Sequence, residues 1–158
     1  MFPNIVERLR GTPARVEELV SGLTPGILIR RVENAWSIQE NVGHLLDLEV
    51  LWTTRVSELR EGKPELTAAD LDNRLTWERN HNSAALDDIL KAFRATRQAL
   101  VRDLDSMDAS MFERAAMHPR LGKPMRMIDL TLFVAEHDDH HLARISQLKR
   151  FFSTAESG

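Results

Sequence analysis

Residues 127–150 read MIDLTLFVAEHDDHHLARISQLKR, and the apolar residues of this stretch recur at steps of three and four. This spacing places them on one face of an α-helix. The face comprises Leu130, Val134, His137, His141, Ile145 and Leu148. Two histidines therefore occupy positions at which a purely structural helix carries leucine or isoleucine, and we expect both polar rings to have partners inside the protein.

The same periodicity predicts three further long helices, while β-branched runs with alternating polarity, which indicate strands, are almost absent. Ser37 and Glu40 have the spacing of a capping box at the start of the second helix. The expected helices cover about residues 3–22, 38–60, 83–107 and 127–150, with Asn82 or Ser83 as the cap of the third. The sequence therefore predicts an all-α four-helix bundle.

The long segment 63–82 is polar and irregular, and we expect it to be a crossover connection between the second and third helices. Two roles are open for it: it shapes the mouth of a pocket, or it packs on a partner chain. Residues 118–124 hold too many prolines and glycines for a helix. We predict a single domain over residues 1–152 and a frayed tail over residues 153–158.

The composition limits the chemistry that the protein can perform. Among 158 residues there is no cysteine, which excludes disulfides, thiolate metal sites and a cysteine nucleophile. Catalysis or metal binding must therefore use histidines, carboxylates or hydroxyl groups. The 21 basic and 24 acidic residues give a formal charge of −3, which argues against nucleic acid as a partner.

Two features of the sequence bear on the expected location of the protein. No stretch approaches the ~20 consecutive apolar residues of a membrane span. The first residues, MFPNIVERLRG, lack the apolar core of a signal peptide. We therefore expect a soluble, cytoplasmic protein that does not bind membranes.

Three histidines have positions that suit a metal centre. His137 and His141 lie about 40° apart on one helix face, which is the spacing that lets two imidazoles bind one metal ion. His44 lies at the edge of the broad apolar arc of the second helix, from which it can reach a neighbouring helix. Three imidazoles from two helices would form an open site. The alternative is a pair of buried histidines that are hydrogen-bonded to core carboxylates.

The other histidines and acids near this motif are weaker candidates. His140 falls on the flank of the stripe, and His81 and His118 are expected to be surface residues in loops. Asp138 and Asp139 are expected to face solvent, as is Arg97 on the third helix. Trp36, Trp52 and Phe133 lie beside the proposed site. Ordinary core packing is the favoured interpretation of the last two, and the alternative is that one of them also lines a pocket.

Four segments of the sequence together resemble the DinB-like superfamily. They are WSIQENVGHL (36–45), Glu49, HPRLG (118–122) and HDDHHLARI (137–145). The match in order and spacing extends over about residues 4–150. The resemblance implies a four-helix bundle in which three histidines hold a divalent metal ion. Carried over to this sequence, the ligands are His44, His137 and His141.

The resemblance implies less about the activity. Members of the superfamily include S-transferases that use bacillithiol, mycothiol or glutathione, a mycothiol-dependent maleylpyruvate isomerase, and metal-dependent hydrolases. Ni²⁺, Zn²⁺ and Fe²⁺ all suit three neutral nitrogen ligands. A small-molecule substrate is expected, with a low-molecular-weight thiol as an optional cofactor. Members often form dimers, so a homodimer is expected too.

Two further residues are candidates for catalysis. Glu49 lies at the centre of the apolar arc of the second helix, and it can orient a ligand or act as a general base. Arg144, where relatives often have glutamine, can present a guanidinium to an anion near the metal. The alternative is a buried ion pair between Glu49 and Arg144. A second hypothesis for the whole protein is a non-catalytic, dimeric bundle whose metal is structural or absent.

Overall fold

The computed structural model describes residues 2–156, in which helices dominate and one short hairpin is present. The helices are α1 (Phe2–Val20), α2 (Pro25–Leu28), α3 (Ile38–Glu61), α4 (Arg74–Arg79), α5 (Leu86–Asp105) and α6 (Met127–Glu156), and the strands are β1 (Ala115–His118) and β2 (Lys123–Arg126). The four long helices α1, α3, α5 and α6 are those expected from the sequence, so the prediction of a four-helix bundle is confirmed. Within residues 2–156, no helix combines the length and the apolar character that crossing a membrane requires.

The long helices pack in a ring, in which α1 and α3 each pack mainly on α5 and α6. Two apolar clusters fill the interior. The first cluster includes Leu9, Trp52, Leu100 and Leu130, and the second includes Val16, Leu45, Phe93 and Ile145. The end of α3 and the end of α5 thus share one cluster, and their beginnings share the other. Both helices run in the same direction, and segment 62–85 extends between the two ends of the bundle.

The start of α3 has the predicted capping box. Glu40 N donates to Ser37 Oγ at 3.1 Å, and Ser37 N donates to the Glu40 carboxylate at 2.8 Å. Gly62 ends the helix with a φ of 75°. These two signals fix the ends of the helix that carries His44.

The start of α5 differs from the prediction. Its cap is Ala85 rather than Asn82 or Ser83, because residues 81–83 form a separate 3₁₀ turn. The Asn82 side chain has another partner, since its Oδ1 accepts a hydrogen bond from Ser37 Oγ at 2.7 Å. The turn is thereby fixed to the beginning of α3.

The last helix is longer than the sequence indicated. It continues through Glu156 instead of ending near Arg150. Phe152 is buried in the second apolar cluster, and this contact accounts for the additional turns. Of the predicted frayed tail, residues 157 and 158 lie outside the described residues.

Residues 115–126 form an antiparallel hairpin that sequence periodicity did not reveal, because strands of four residues are too short to show alternation. Gly122 makes the turn with a φ of 59°, and its N–H donates to His118 O at 2.9 Å. Met117 N donates to Pro64 O, and Leu66 N donates to Met117 O. The hairpin is thus attached to the segment that follows α3.

Candidate metal centre

Three histidines from two helices converge at one point. His44 extends from α3, and His137 and His141 extend from α6. Each offers a ring nitrogen, and these nitrogens all lie within 4.8 Å of one another. His44 Nε2 and His137 Nε2 are 3.3 Å apart. Two nitrogens that share a metal ion with bonds of about 2.1 Å can be at most about 4.2 Å apart, so this pair already has the required separation.

Hydrogen bonds orient two of the three rings. Thr76 Oγ1 donates its one proton to Asp47 Oδ2 at 2.9 Å, so it must accept at 3.0 Å from His44 Nδ1. His141 Nδ1 donates to Asn41 Oδ1 at 2.9 Å. Since both Nδ1 atoms carry the proton, both Nε2 atoms are unprotonated and have a lone pair that can bind a metal ion.

The rings are also in the protonation state that binds metals. Burial lowers the pKa of His44 to about 4, and the neighbouring His137 adds to this effect. Burial likewise lowers the pKa of His137 and that of His141 to about 3, with contributions from adjacent histidines. All three rings are therefore neutral at pH 7. Three converging neutral imidazoles fit a divalent cation, which would satisfy their lone pairs together.

A cavity of about 580 Å³ opens above the three histidines. Trp36 and Trp52 form its aromatic walls beside the rings, with centroids 4.6 Å from His44 and 5.6 Å from His137, respectively. Residues 68–71 of the connection after α3 line another side. The connection therefore shapes the pocket, which was one of the two roles expected for it.

The aromatic residues divide into two groups. Trp52 is buried and belongs to the first apolar cluster, so the prediction of core packing is confirmed for it. The same prediction is wrong for Phe133, which is 44% exposed and lines the cavity. On α6 it lies one turn before His137, on the side of the helix that faces the opening.

The two catalytic candidates do not lie in the cavity wall. Arg144 donates to Gln147 Oε1 at 3.3 Å, and Glu49 accepts from Arg97 Nη2 at 2.7 Å. The alternative of an ion pair between Glu49 and Arg144 is therefore wrong. Neither residue is among those that line the cavity.

Glu49 instead belongs to a buried ionic cluster that the sequence interpretation missed. Arg97, which is 1% exposed, contacts both Glu49 and Asp138, and Asp138 is fully buried. The predictions that Arg97 and Asp138 face solvent are wrong. Asp138 is buried because α6 packs on both α1 and α3, so more than one of its faces is enclosed. Burial raises the pKa of Glu49, against the opposing effect of Arg97.

Of the remaining histidines, His140 is exposed at the cavity wall and does not belong to the cluster of three. The prediction that His81 and His118 are surface residues is wrong, because both are buried. His81 Nε2 donates at 2.8 Å to Asp47, the carboxylate that also binds Thr76. His81 thus supports the residues that orient His44.

Gly43 permits this arrangement, since a Cβ atom at this position would lie 2.2 Å from His81 Cγ. Gly43→Ala must displace a buried ring, and we expect it to destabilise the protein by about 1–3 kcal/mol. It should also weaken metal binding, because Asp47 and Thr76 would shift. Urea unfolding and metal titration measure the two effects.

Gly11→Ala in α1 is the matched control, because a Cβ atom there meets no atom within 4 Å in the described structure. Alanine is the better helix former, so this variant should gain about 0.5–1 kcal/mol. If Gly43→Ala gained as much stability as Gly11→Ala, the close packing of His81 against Gly43 would be contradicted.

A helical bundle with three converging histidines under an open cavity defines a class of candidate metalloproteins. The sequence profile of the DinB superfamily matches residues 8–145, and the chain belongs to this superfamily. The resemblance found in the sequence is thereby confirmed. A comparison with curated proteins finds no significant match.

Among solved structures, the chain is similar to YfiT from Bacillus subtilis. That protein is described as "a probable metal-dependent hydrolase with an unusual four-helix bundle topology". The two share 21% sequence identity with a TM-score of 0.85, over 96% of this chain and 87% of that chain. At this identity the likeness establishes a common fold.

Proposed function

We propose that this protein is a metal-dependent hydrolase of small molecules, in which His44, His137 and His141 hold one divalent ion. The observation that carries the proposal is the convergence of three neutral imidazoles below an open cavity. The description of YfiT as a probable metal-dependent hydrolase supports it. A divalent ion held there would act as a Lewis acid and would bring the pKa of a water molecule toward ~7.

The composition of the cluster favours a catalytic site over a structural one. Within the described part of the chain, no fourth histidine and no carboxylate joins the three ligands. Three protein ligands leave positions open for water and substrate, as in catalytic metal sites. Glu49, which could have closed the site, is not part of the cluster and pairs through Oε1 with Arg97.

The surrounding side chains have separate roles in this proposal. Thr76 and Asn41 hold two of the ligand rings in place. Trp36 and Trp52 form an apolar wall that binds substrate and excludes water from part of the cavity. His140, exposed at the cavity wall, is positioned to transfer protons between substrate and solvent.

An assay of hydrolysis with and without metal tests this function. Untagged protein, reconstituted with Zn²⁺, Ni²⁺ or Fe²⁺ in turn, is assayed with p-nitrophenyl esters of carboxylic acids and of phosphate. We expect kcat/KM to fall at least about 100-fold in His137→Ala, because the ion is lost. Arg144→Ala, which lies outside the cavity, should keep the wild-type rate. Equal rates with and without metal would contradict the proposal.

A thiol-dependent S-transferase is the second candidate. The chain has no cysteine, so any thiol chemistry must use a small-molecule thiol, which can bind a metal ion as thiolate. The cavity volume leaves room for a thiol beside a substrate. Consumption of glutathione in the presence of an electrophile, without hydrolysis of esters, would favour this candidate.

A further inference from the structure

One end of the cavity holds an arginine that is buried and only partly hydrogen-bonded. Arg55 is 2% exposed and lines the cavity. Its Nε donates to Thr67 O at 2.9 Å. Its Nη2 is buried and has no hydrogen-bond partner in the described structure. Since a buried N–H group without a partner costs free energy, a bound ligand is a natural acceptor for it.

The carboxylates near Arg55 have other partners. Glu58, one turn further along α3, accepts hydrogen bonds from Thr67 N and Thr67 Oγ1 and forms no ion pair with Arg55. Asp70, the one acid among the described residues that line the cavity, accepts from Arg74 N at the start of α4. Arg55 therefore forms no ion pair in the described structure, although the charge of Glu58 acts on it at longer range. Arg120 adds a second positive charge to the cavity wall.

His118 presents a hydrogen-bond donor to the same end of the cavity. Its Nδ1 accepts from Arg120 N at 3.3 Å and from Leu121 N at 3.2 Å. The ring proton must therefore be on Nε2, which makes that atom a donor. Burial lowers the pKa of His118, so the ring is neutral at pH 7.

The face of α3 that lines the cavity has a polar residue at each end. His44, Leu48, Leu51 and Arg55 follow at steps of four, three and four, and all four line the cavity. The Cα atoms of the two ends are about 16 Å apart at 1.5 Å per residue. An apolar wall thus connects the candidate metal centre with the positively charged end.

We propose that Arg55, His118 and Arg120 form a subsite for the carboxylate of an elongated, apolar substrate. The buried Arg55 Nη2 and the Nε2–H group of His118 are two N–H donors, which match the two oxygen atoms of a carboxylate. The apolar part of the substrate lies along Leu48 and Leu51, and its reacting group faces the three histidines. This inference rests on the proposed function for the reaction and adds the substrate class. Binding of the carboxylate itself does not require the metal ion.

The test compares two probes that differ in one group. Titration calorimetry with metal-free protein measures the affinity for 4-phenylbutyrate and for its neutral amide. We expect wild-type protein to prefer the carboxylate. Arg55→Gln should weaken carboxylate binding at least about tenfold and leave amide binding unchanged, because a charge-assisted hydrogen bond is lost. Arg55→Lys should recover part of the affinity, and Arg102→Gln, an exposed site on α5, should have no effect.

Several outcomes would overturn the subsite. The first is that wild-type protein binds 4-phenylbutyrate no more tightly than its amide. The second is that Arg55→Gln loses affinity for both probes to the same extent. The third is that inorganic phosphate binds as tightly as 4-phenylbutyrate. His118→Phe keeps an aromatic ring but removes the N–H donor. It should weaken carboxylate binding less than Arg55→Gln does. Metal content measured on Arg55→Gln should equal that of wild type. The metal content therefore tests the three-histidine site, and the affinity for the carboxylate tests the subsite, so the two proposals can fail independently.

Discussion

Replacing Arg97 by methionine is expected to destabilise the folded protein by about 3–5 kcal/mol, because two buried carboxylates would lose their cation. Arg97 Nε and Nη2 donate to Glu49 Oε1 at 3.1 and 2.7 Å, and Nη2 also donates to Asp138 Oδ1 at 3.0 Å. Thr12 Oγ1 donates to the other Asp138 oxygen at 2.7 Å. The cluster therefore joins all four long helices, between the two apolar clusters.

Arg97 also compensates for a proline in α1. Pro13 has no N–H, so the carbonyl group of Leu9 lacks its usual partner within the helix. Arg97 Nη1 donates to Leu9 O at 3.3 Å. Its replacement would leave this buried carbonyl group unsatisfied as well, which adds to the expected loss of stability.

Urea unfolding measures the effect, and Arg94→Met is the matched control. Arg94 lies one turn earlier on α5 and pairs with Glu17 at the surface, so its loss should cost no more than about 1 kcal/mol. The triple variant Arg97→Met, Glu49→Leu, Asp138→Leu should recover most of the stability, since no charge remains at this site. If Arg97→Met is as stable as Arg94→Met or more stable, the buried ionic cluster does not stabilise the fold as we expect.

Alanine at His44, His137 or His141 is expected to abolish the stabilisation that a bound metal ion gives to the fold. A ligand at 100 times its dissociation constant stabilises the native state by about 2.7 kcal/mol. Wild-type protein should therefore unfold at higher urea concentration with metal than without it. The three alanine variants should show no such difference.

His118→Gln is the control for this series, because His118 lines the cavity but is not one of the three clustered histidines. The His118→Gln variant should still be stabilised against urea by the metal ion. Circular dichroism of each metal-free variant shows whether the bundle is intact. Stabilisation of all variants by metal, to the same extent as wild type, would mean that the ion binds elsewhere.

The sequence was informative where a local pattern determines the structure. The capping box at Ser37 and the stripe through His137 and His141 depend on spacing within one helix, and both were predicted correctly as local features. His44 lies on a different helix, α3, and can join the other two histidines only if α3 faces α6. The broad apolar arc of α3 already indicated that His44 can reach a neighbouring helix. Helical periodicity thus favoured the same three histidines that the family resemblance implies, while a pair of hydrogen-bonded core histidines was the alternative that spacing left open.

The buried ionic cluster was missed although its signal was present. Arg97 stands four residues after Phe93 and three before Leu100, within an apolar stripe. Asp138 stands four residues after Val134 on the long last helix. Both residues were assigned to the solvent side of their helices. Arg97 in fact lies on the apolar stripe of its helix, whereas Asp138 lies beside the stripe of the last helix, on a face that α1 and α5 cover. The same reasoning that selected the histidines would have selected Arg97.

Other features depend on tertiary contacts and have no signature in sequence. Arg55 and His118 come from α3 and the hairpin, and only the path of the chain brings them to one cavity. The burial of His81 depends on the missing side chain of Gly43. The identity of the metal, a thiol cofactor, a homodimer and a cytoplasmic location stay predictions.

Elemental analysis by plasma mass spectrometry tests the central claim most directly. Wild-type protein, His44→Ala and His141→Ala are prepared without a purification tag, which would itself supply nickel. We predict about one divalent ion per chain in wild type and almost none in either variant, with the helical content of all three unchanged. A wild-type protein without metal, even after dialysis against Zn²⁺, Ni²⁺ and Fe²⁺ in turn, would contradict the account.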